Sequence, residues 1–177
     1  MTQKDEKTVF ISIIGEDQVG FVAQVTARLF DMGLNLSDTT FNLLGTGCEF
    51  SCLTHIYQGL TLEDIQQELE SLSVLKSAKV EVSIFSHDLK AHHRGTHAIT
   101  VIGGDQPGFV ARLAEVLIEY DANIIHLRAH TSDDSLGAPV YSTNFILDIN
   151  PDKEVQCIAA VYNTCSQLQL SCKYQSL

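Results

Sequence analysis

The residues best suited to chemistry lie in a glycine-containing segment that occurs twice. Residues 14–23 read Ile-Gly-Glu-Asp-Gln-Val-Gly-Phe-Val-Ala, and residues 102–111 read Ile-Gly-Gly-Asp-Gln-Pro-Gly-Phe-Val-Ala, at a constant offset (103 − 15 = 88). Each copy follows an apolar, β-branched run and precedes an amphipathic pattern, so each is predicted to be a turn from a strand into a helix. Backbone N–H groups at a helix N-terminus attract anions. Both turns therefore suit a carboxylate.

Other groups of each copy suit contacts with the rest of a small ligand. Gly20 and Gly108 let the backbone approach a ligand closely. The Asp of each turn suits a ligand ammonium, although it suits a hydrogen bond within its own turn equally well. Asn35 and Asn123 follow at the same offset (123 − 35 = 88) and carry both a donor and an acceptor.

The elements that must position these groups follow one order in both halves. The predicted strands are residues 8–14, 37–44, 48–57 and 79–85, and then 99–102, 125–131, 140–149 and 168–174. Apolar residues at spacings of three and four predict two helices in each half. In the first half the two sets are Val22, Val25, Leu29 and Met32, and then Leu62, Ile65, Leu69 and Leu72. In the second half they are Val110, Leu113, Leu117 and Tyr120, and then Val155, Ile158, Ala159 and Tyr162. Each half is therefore β-α-β-β-α-β, an α+β, ferredoxin-like fold with an antiparallel sheet covered by helices on one face.

The helix ends carry their own signals. Gly33 and Asp121 are predicted to end the first helix of each half with a positive φ. Thr61 and Asp152 are predicted to be the N-caps of the second helices.

Length and charge restrict the organisation and the partners. The 177 residues predict two domains, 1–90 and 91–177, joined by a linker at 87–95. The net charge is −11, from 11 Lys and Arg against 22 Asp and Glu, and no cluster of basic residues stands out in the sequence. Direct binding to DNA, RNA or an anionic membrane is therefore disfavoured.

The five cysteines and the N-terminus indicate a cytoplasmic protein. No Cys-x-x-Cys pair is present, which favours reduced thiols. The N-terminus is polar, and no run approaches the roughly 20 apolar residues that a membrane span needs. Cys48 and Cys52 alternate along a predicted strand, where packing is the usual role, with a Cys/His nucleophile pair as the alternative.

No cofactor, metal or catalytic motif emerges. Gly15 and Gly20 have the spacing of a phosphate-binding loop, but Phe-Val follows where Lys-Ser/Thr is required. Neighbouring histidines on an extended segment point to opposite faces, so solvated residues are favoured over a metal site in the linker; the histidines concerned are His87, His92, His93 and His97. With no recognisable nucleophile motif, the sequence predicts a protein that is not an enzyme.

The combined pattern resembles the ACT domain, a small module that binds amino acids. The resemblance rests on the element order, on Gly-x-Asp-x-Pro-Gly-Phe between the first strand and helix, and on Asn-Ile at the second strand. Residues 103–109 match fully, whereas Val19 replaces the usual Pro, which suits the first helical position. Two such domains over residues 8–177, with no catalytic domain, resemble the glycine cleavage system transcriptional repressor group.

The resemblance implies a ligand between paired domains, near the turn and the start of the second strand. The first implied set is Asp17, Gln18, Val19, Gly20, Phe21, Val22 and Asn35. The second implied set is Asp105, Gln106, Pro107, Gly108, Phe109, Val110 and Asn123.

Two functions from different classes follow. The first is a homo-oligomeric regulator that senses a small amino acid such as glycine and acts on a regulator or enzyme by protein contact, in the transcriptional control of amino-acid metabolism. The second is a ligand-free interaction module that pairs with itself or with an enzyme subunit. A regulatory half resembling the N-terminal module of formyltetrahydrofolate deformylase is a further alternative.

Overall fold

The computed structural model describes residues 7–57, 59–87, 94–104, 107–133, 137 and 139–177. The chain divides into two units, residues 1–88 and 89–177. Most of the predicted linker, including His92 and His93, lies outside the described residues.

The first unit contains four strands and two helices. Its strands are β1 (Lys7–Glu16), β2 (Leu36–Leu44), β3 (Gly47–Ile56) and β4 (Lys79–Ile84), and its helices are α1 (Phe21–Asp31) and α2 (Leu62–Glu70). A short 3-10 helix, Ser73–Leu75, follows α2. The sheet order is β2-β3-β1-β4, with every pair antiparallel.

The second unit repeats this architecture. Its strands are β5 (His97–Gly103), β6 (Asn123–Asp133), β7 (Pro139–Asp148) and β8 (Ser171–Ser176), and its helices are α3 (Phe109–Glu119) and α4 (Glu154–Gln167). The order β6-β7-β5-β8 is again antiparallel throughout. The predicted α+β fold with two ferredoxin-like βαββαβ domains is confirmed.

The first helix of each unit buries the two middle residues of its predicted stripe, but the buried face begins one residue earlier, at the turn's phenylalanine. Phe21, Val25 and Leu29 of α1 are buried, whereas Val22 is exposed and Met32 is half-buried. Helix α3 follows the same rule, and its buried residues are Phe109, Leu113 and Leu117. Spacings of four place the turn's phenylalanine in the core of each unit.

The helix ends agree with prediction at three of four positions. Gly33 and Asp121 have φ values of 77° and 53°, and Thr61 forms a capping box with Asp64, which caps α2. The assignment of Asp152 was wrong, because a 3-10 helix, Pro151–Lys153, precedes α4. The N-cap of this 3-10 helix is Asn150, whose side chain accepts a hydrogen bond from the Asp152 N–H at 3.0 Å.

The two cores fill equivalent sheet rows with different residues. Phe50 lies opposite Ile13 in the first unit, where the second unit has Thr143 opposite Val101. In the next row on the same face, the larger side chain belongs to the second unit, because Phe145 occupies the position that Cys52 has in the first unit. The backbone pattern of the duplication is therefore kept while the side-chain packing differs.

Two buried threonines differ in their hydrogen bonding, so we expect the same substitution to have opposite effects on stability. Thr54 Oγ1 donates to the Asn35 carbonyl at 2.8 Å, whereas the buried Thr143 Oγ1 has no hydrogen-bond partner among the described residues. Thr143→Val is expected to raise the free energy of unfolding by about 1 kcal/mol, and Thr54→Val to lower it by about 1–2 kcal/mol. Urea denaturation measures both, and changes of the same sign would contradict this assignment.

Candidate functional site

The first glycine turn is held by backbone groups that are distant in sequence. The Asp17 N–H donates to the Thr46 carbonyl at 3.0 Å, and Gln18 Nε2 donates to the Val74 carbonyl at 2.9 Å. The turn is thereby fastened to the β2–β3 hairpin on one side and to the 3-10 helix on the other. The Gln18 side chain therefore holds the turn in place.

The N-terminus of α1 carries no side-chain cap. Gly20 is the N-cap with φ 91°, in the left-handed region, and no side chain accepts from the first turn. The first intrahelical bond runs from Gln24 N–H to the Gly20 carbonyl at 2.9 Å. The N–H groups of Val22 and Ala23 precede it, and both residues are exposed. These donors are normally satisfied by a capping side chain, and here they are left to water or a ligand.

The second turn repeats this geometry where it is described. Gly108, with φ 81°, is the N-cap of α3, and no side chain among the described residues caps this helix. Its carbonyl accepts from Arg112 N–H at 3.0 Å. Pro107 and Gly108 are exposed. Asp105 and Gln106, the other predicted residues of this turn, lie outside the described residues.

The Pro/Val position differs from the prediction. Helices α1 and α3 begin at Phe21 and Phe109, so Val19 and Pro107 precede the N-cap and do not occupy the first helical position. Val19 is fully exposed. The replacement of Pro by Val therefore lies outside the helix and leaves the helix start unchanged.

Two predicted ligand residues are members of the core. Phe21 is 1% exposed and its ring lies 5.9 Å from that of Phe41. Phe109 is 5% exposed and packs edge-on against Tyr141 at 6.0 Å. Their rings support the turns from below, so only their backbone faces a potential ligand.

The predicted asparagines lie far from the turn of their own unit. Asn35 precedes Leu36, which pairs with Thr54, and Thr54 pairs with Val9 near the beginning of β1. The turn follows Glu16 at the other end of that strand, and seven residues of strand span about 23 Å. Asn123 is separated from the second turn by β5 in the same way, because Ile124 and His97 both pair with Leu147. Both asparagines are exposed.

The cysteines of β3 are buried and their pKa values are raised. Burial raises the pKa of Cys52 to about 12. Burial, with the Asp17 carboxylate nearby, also raises the pKa of Cys48. A thiol nucleophile needs a lowered pKa, so both residues have the character of packing residues.

A labelling experiment checks this reading of Cys52. We expect Cys52 to resist iodoacetamide at pH 8 in the folded protein and to react once urea unfolds the chain, because the thiolate is the reactive form. Mass spectrometry of the labelled peptides measures the rate. Equal labelling with and without urea would contradict the assignment.

His97 differs from the predicted solvated linker histidine. It is 3% exposed at the start of β5, with Nδ1 2.9 Å from Thr96 Oγ1 and Nε2 3.2 Å from the Glu154 carboxylate. His87 packs its ring against Phe85 at 5.2 Å. Over the described part of the chain, no group of three His, Cys, Asp or Glu residues is arranged to hold a metal ion.

The helices are short relative to a bilayer. None that the structure describes is long and apolar enough to cross a membrane.

Comparison with known families connects this geometry to a domain type. Residues 97–137 match the family model of the ACT domain. The resemblance to the ACT domain is confirmed. The match lies in the unit whose turn carries the full Gly-x-Asp-x-Pro-Gly-Phe motif. No protein of curated function shows significant sequence similarity to the chain.

Two solved structures are similar in fold over the whole chain. An unknown protein from Galdieria sulphuraria has a TM-score of 0.77 and 19% identity, covering 98% of this chain and 99% of that one. A protein named "putative glycine cleavage system transcriptional repressor" has a TM-score of 0.70 and 12% identity, with 98% of each chain covered. At these identities the likeness establishes the fold.

Proposed function

We propose that this chain is a non-enzymatic regulator that binds a small amino acid, glycine first among the candidates, at its glycine turns and acts through protein contact. The observation that carries the proposal is that both units place a left-handed glycine at a helix N-cap, which no side chain in the described part of the chain caps. The ACT domain match supports amino-acid binding, and the fold likeness to the named repressor supports a role in transcriptional regulation.

The exposed N–H groups suit the carboxylate of an amino acid. A ligand carboxylate accepts from the N–H groups of Val22 and Ala23 in the first turn, or from those of Val110 and Ala111 in the second, where the helix dipole also favours negative charge. An ammonium group needs acceptors, which the carboxamide oxygen of an asparagine provides.

A second copy of the chain completes the site in this proposal. Asn35 lies about 23 Å from the turn of its own unit, judged from the length of β1, so it cannot contact the same small ligand. The edge strand β2 is largely exposed along its length. Antiparallel pairing of β2 with β2 of a second copy would bring the Asn35 end of one to the turn end of the other. This two-fold arrangement accounts for the predicted homo-oligomer.

A thermal-shift screen of the standard amino acids tests the proposal. A ligand at about one hundred times its dissociation constant stabilises the folded state by roughly 2.7 kcal/mol, which raises the melting temperature measurably. We expect glycine or another small amino acid to produce such a shift. No shift with any amino acid would reject the sensor.

The edge strands favour a second candidate, a ligand-free interaction module. Phe41, Leu43 and Leu44 of β2 and Leu127 of β6 are exposed apolar residues on edge strands, and an unpaired edge of this kind is a template for pairing. Analytical ultracentrifugation of Leu43→Lys tests it. A stable oligomer that dissociates in this variant, together with a negative amino-acid screen, would favour the module.

We also expect no binding of duplex DNA at physiological salt. Neutralising phosphates needs several basic groups, and the net charge of −11 opposes approach to a polyanion. A gel shift measures this directly. Tight, sequence-specific binding by the chain alone would contradict action through a protein partner.

A further inference from the structure

The open face of the second sheet collects basic residues that are scattered in the sequence. Thr100 lies between the buried Ile99 and Val101, so its side chain is on the face away from the helices. Register places Arg128, Asn144, Thr100 and Lys173 in one row across β6, β7, β5 and β8. Thr100 Oγ1 donates to Asn144 Oδ1 at 2.8 Å. The middle of the row is therefore polar and its two ends are cationic.

The flanking rows add two histidines along β6 and no further Lys or Arg. His126 and His130 stand two residues on either side of Arg128 on the same exposed edge strand. We call the three rows the basic face; its remaining members are Ile146, Ala98, Gln175, Ser142, Ile102 and Ser171. None of its residues is Asp or Glu; Asp148, on β7, lies two residues beyond Ile146.

The duplication supplies an internal comparison. The equivalent central row of the first unit is Thr40, Ser51, Ser12 and Glu81. Position for position, Arg128 replaces Thr40 and Lys173 replaces Glu81. The first unit carries 5 basic and 13 acidic residues and the second 6 and 9, giving net charges of −8 and −3. The same fold therefore presents a basic sheet face in one unit alone.

We propose that the basic face docks an extended acidic segment of a protein partner. Three strand spacings separate Arg128 from Lys173 at the backbone, about 14 Å, and residues i and i+4 of an extended chain are about 13 Å apart. A segment crossing the strands with carboxylates four residues apart therefore reaches both cations, and Asn144 and Thr100 face the polar groups between them. Arg128 suits bidentate binding of a carboxylate.

The face fits this partner better than a nucleic acid. Single strands bind on sheets through aromatic side chains that stack on bases, and no Phe, Tyr or Trp stands among the residues of the basic face. The acidic remainder of the molecule also repels a long polyanion. The inference rests on the proposed function only in that the chain acts through protein contact.

The test uses the full chain and a fluorescein-labelled Gly/Ser decapeptide with Asp at three alternate positions, so that the outer two are four residues apart. The control peptide has Asn at the same positions. The test variant is Arg128→Glu with Lys173→Glu. The matched control variant is Arg112→Glu with Lys76→Glu, which makes the same charge change at exposed positions outside the face. Fluorescence anisotropy measures binding at low and physiological salt.

We expect the Asp peptide to bind, the Asn peptide not to bind, and the test variant to lose about tenfold or more in affinity while the control variant loses little. Equal losses in both variants, binding of the Asn peptide, or preference for single-stranded DNA would overturn the proposal. Absence of peptide binding, together with an oligomer that only the test variant dissociates, would show a second copy on the face and also overturn it. The amino-acid thermal-shift screen is repeated on the test variant. A shift equal to that of the parent protein would show that the ligand site is intact, so that a loss of peptide binding is assigned to the basic face.

Discussion

Gly108→Val is expected to abolish amino-acid binding at the second turn. Gly108 has φ 81°, and a Cβ built there meets no atom within 4 Å. The added side chain would therefore enter the open space in front of the helix N-terminus, where the proposed carboxylate lies. The positive φ adds strain of about 1–3 kcal/mol for a β-branched residue. Isothermal titration calorimetry on the folded variant measures the loss.

Two further variants separate loss of contact from strain. Gly137→Val carries the same strain away from the turn, because Gly137 has φ 79° and equally open surroundings, and it should keep its affinity. Asn123 is distant from the turn of its own unit, so in this proposal it contacts the ligand from a second copy; Asn123→Ala leaves the backbone unchanged and should weaken binding by roughly 1–3 kcal/mol if it leaves a ligand group unpaired. Unchanged affinity in both Gly108→Val and Asn123→Ala would place the ligand elsewhere.

Phe145→Ala is expected to lower the free energy of unfolding of the second unit by about 3–5 kcal/mol. Phe145 is 2% exposed in the middle of β7 and belongs to the core that Leu113 and Leu117 of α3 also enter. Truncation leaves a cavity lined by these side chains. Urea denaturation followed by circular dichroism measures the change.

An exposed phenylalanine provides the control for that loss. Phe30 is 73% exposed on α1, so Phe30→Ala removes the same atoms without opening a cavity and should change stability by less than about 0.5 kcal/mol. Equal effects of the two substitutions would mean that the core does not depend on Phe145.

Local signals in the sequence were sufficient for the element order and for several helix ends. The glycine turns, the strand and helix periodicities and the stop at Gly33 act over a few residues, and each depends on backbone preference or side-chain periodicity. The boundary between α4 and β8 was less well predicted. The helix runs to Gln167, and a turn with Gln169 at φ 56° delays the strand to Ser171. Helix length there depends on packing of the apolar face, which a local pattern does not measure.

The sequence by itself determined the duplication, the fold class and the position of the two glycine turns before a helix, because these follow from repeated motifs and local periodicity. Tertiary structure alone decided that Asn35 stands a strand's length from its turn, since this depends on the pairing partner of β2. It also joined Arg128 and Lys173, which are distant in the chain, into one row. Only strand register brings such residues together, and register is set by long-range pairing. A chain with a net charge of −11 therefore folds with a basic face whose three rows carry Arg128 and Lys173 and no carboxylate.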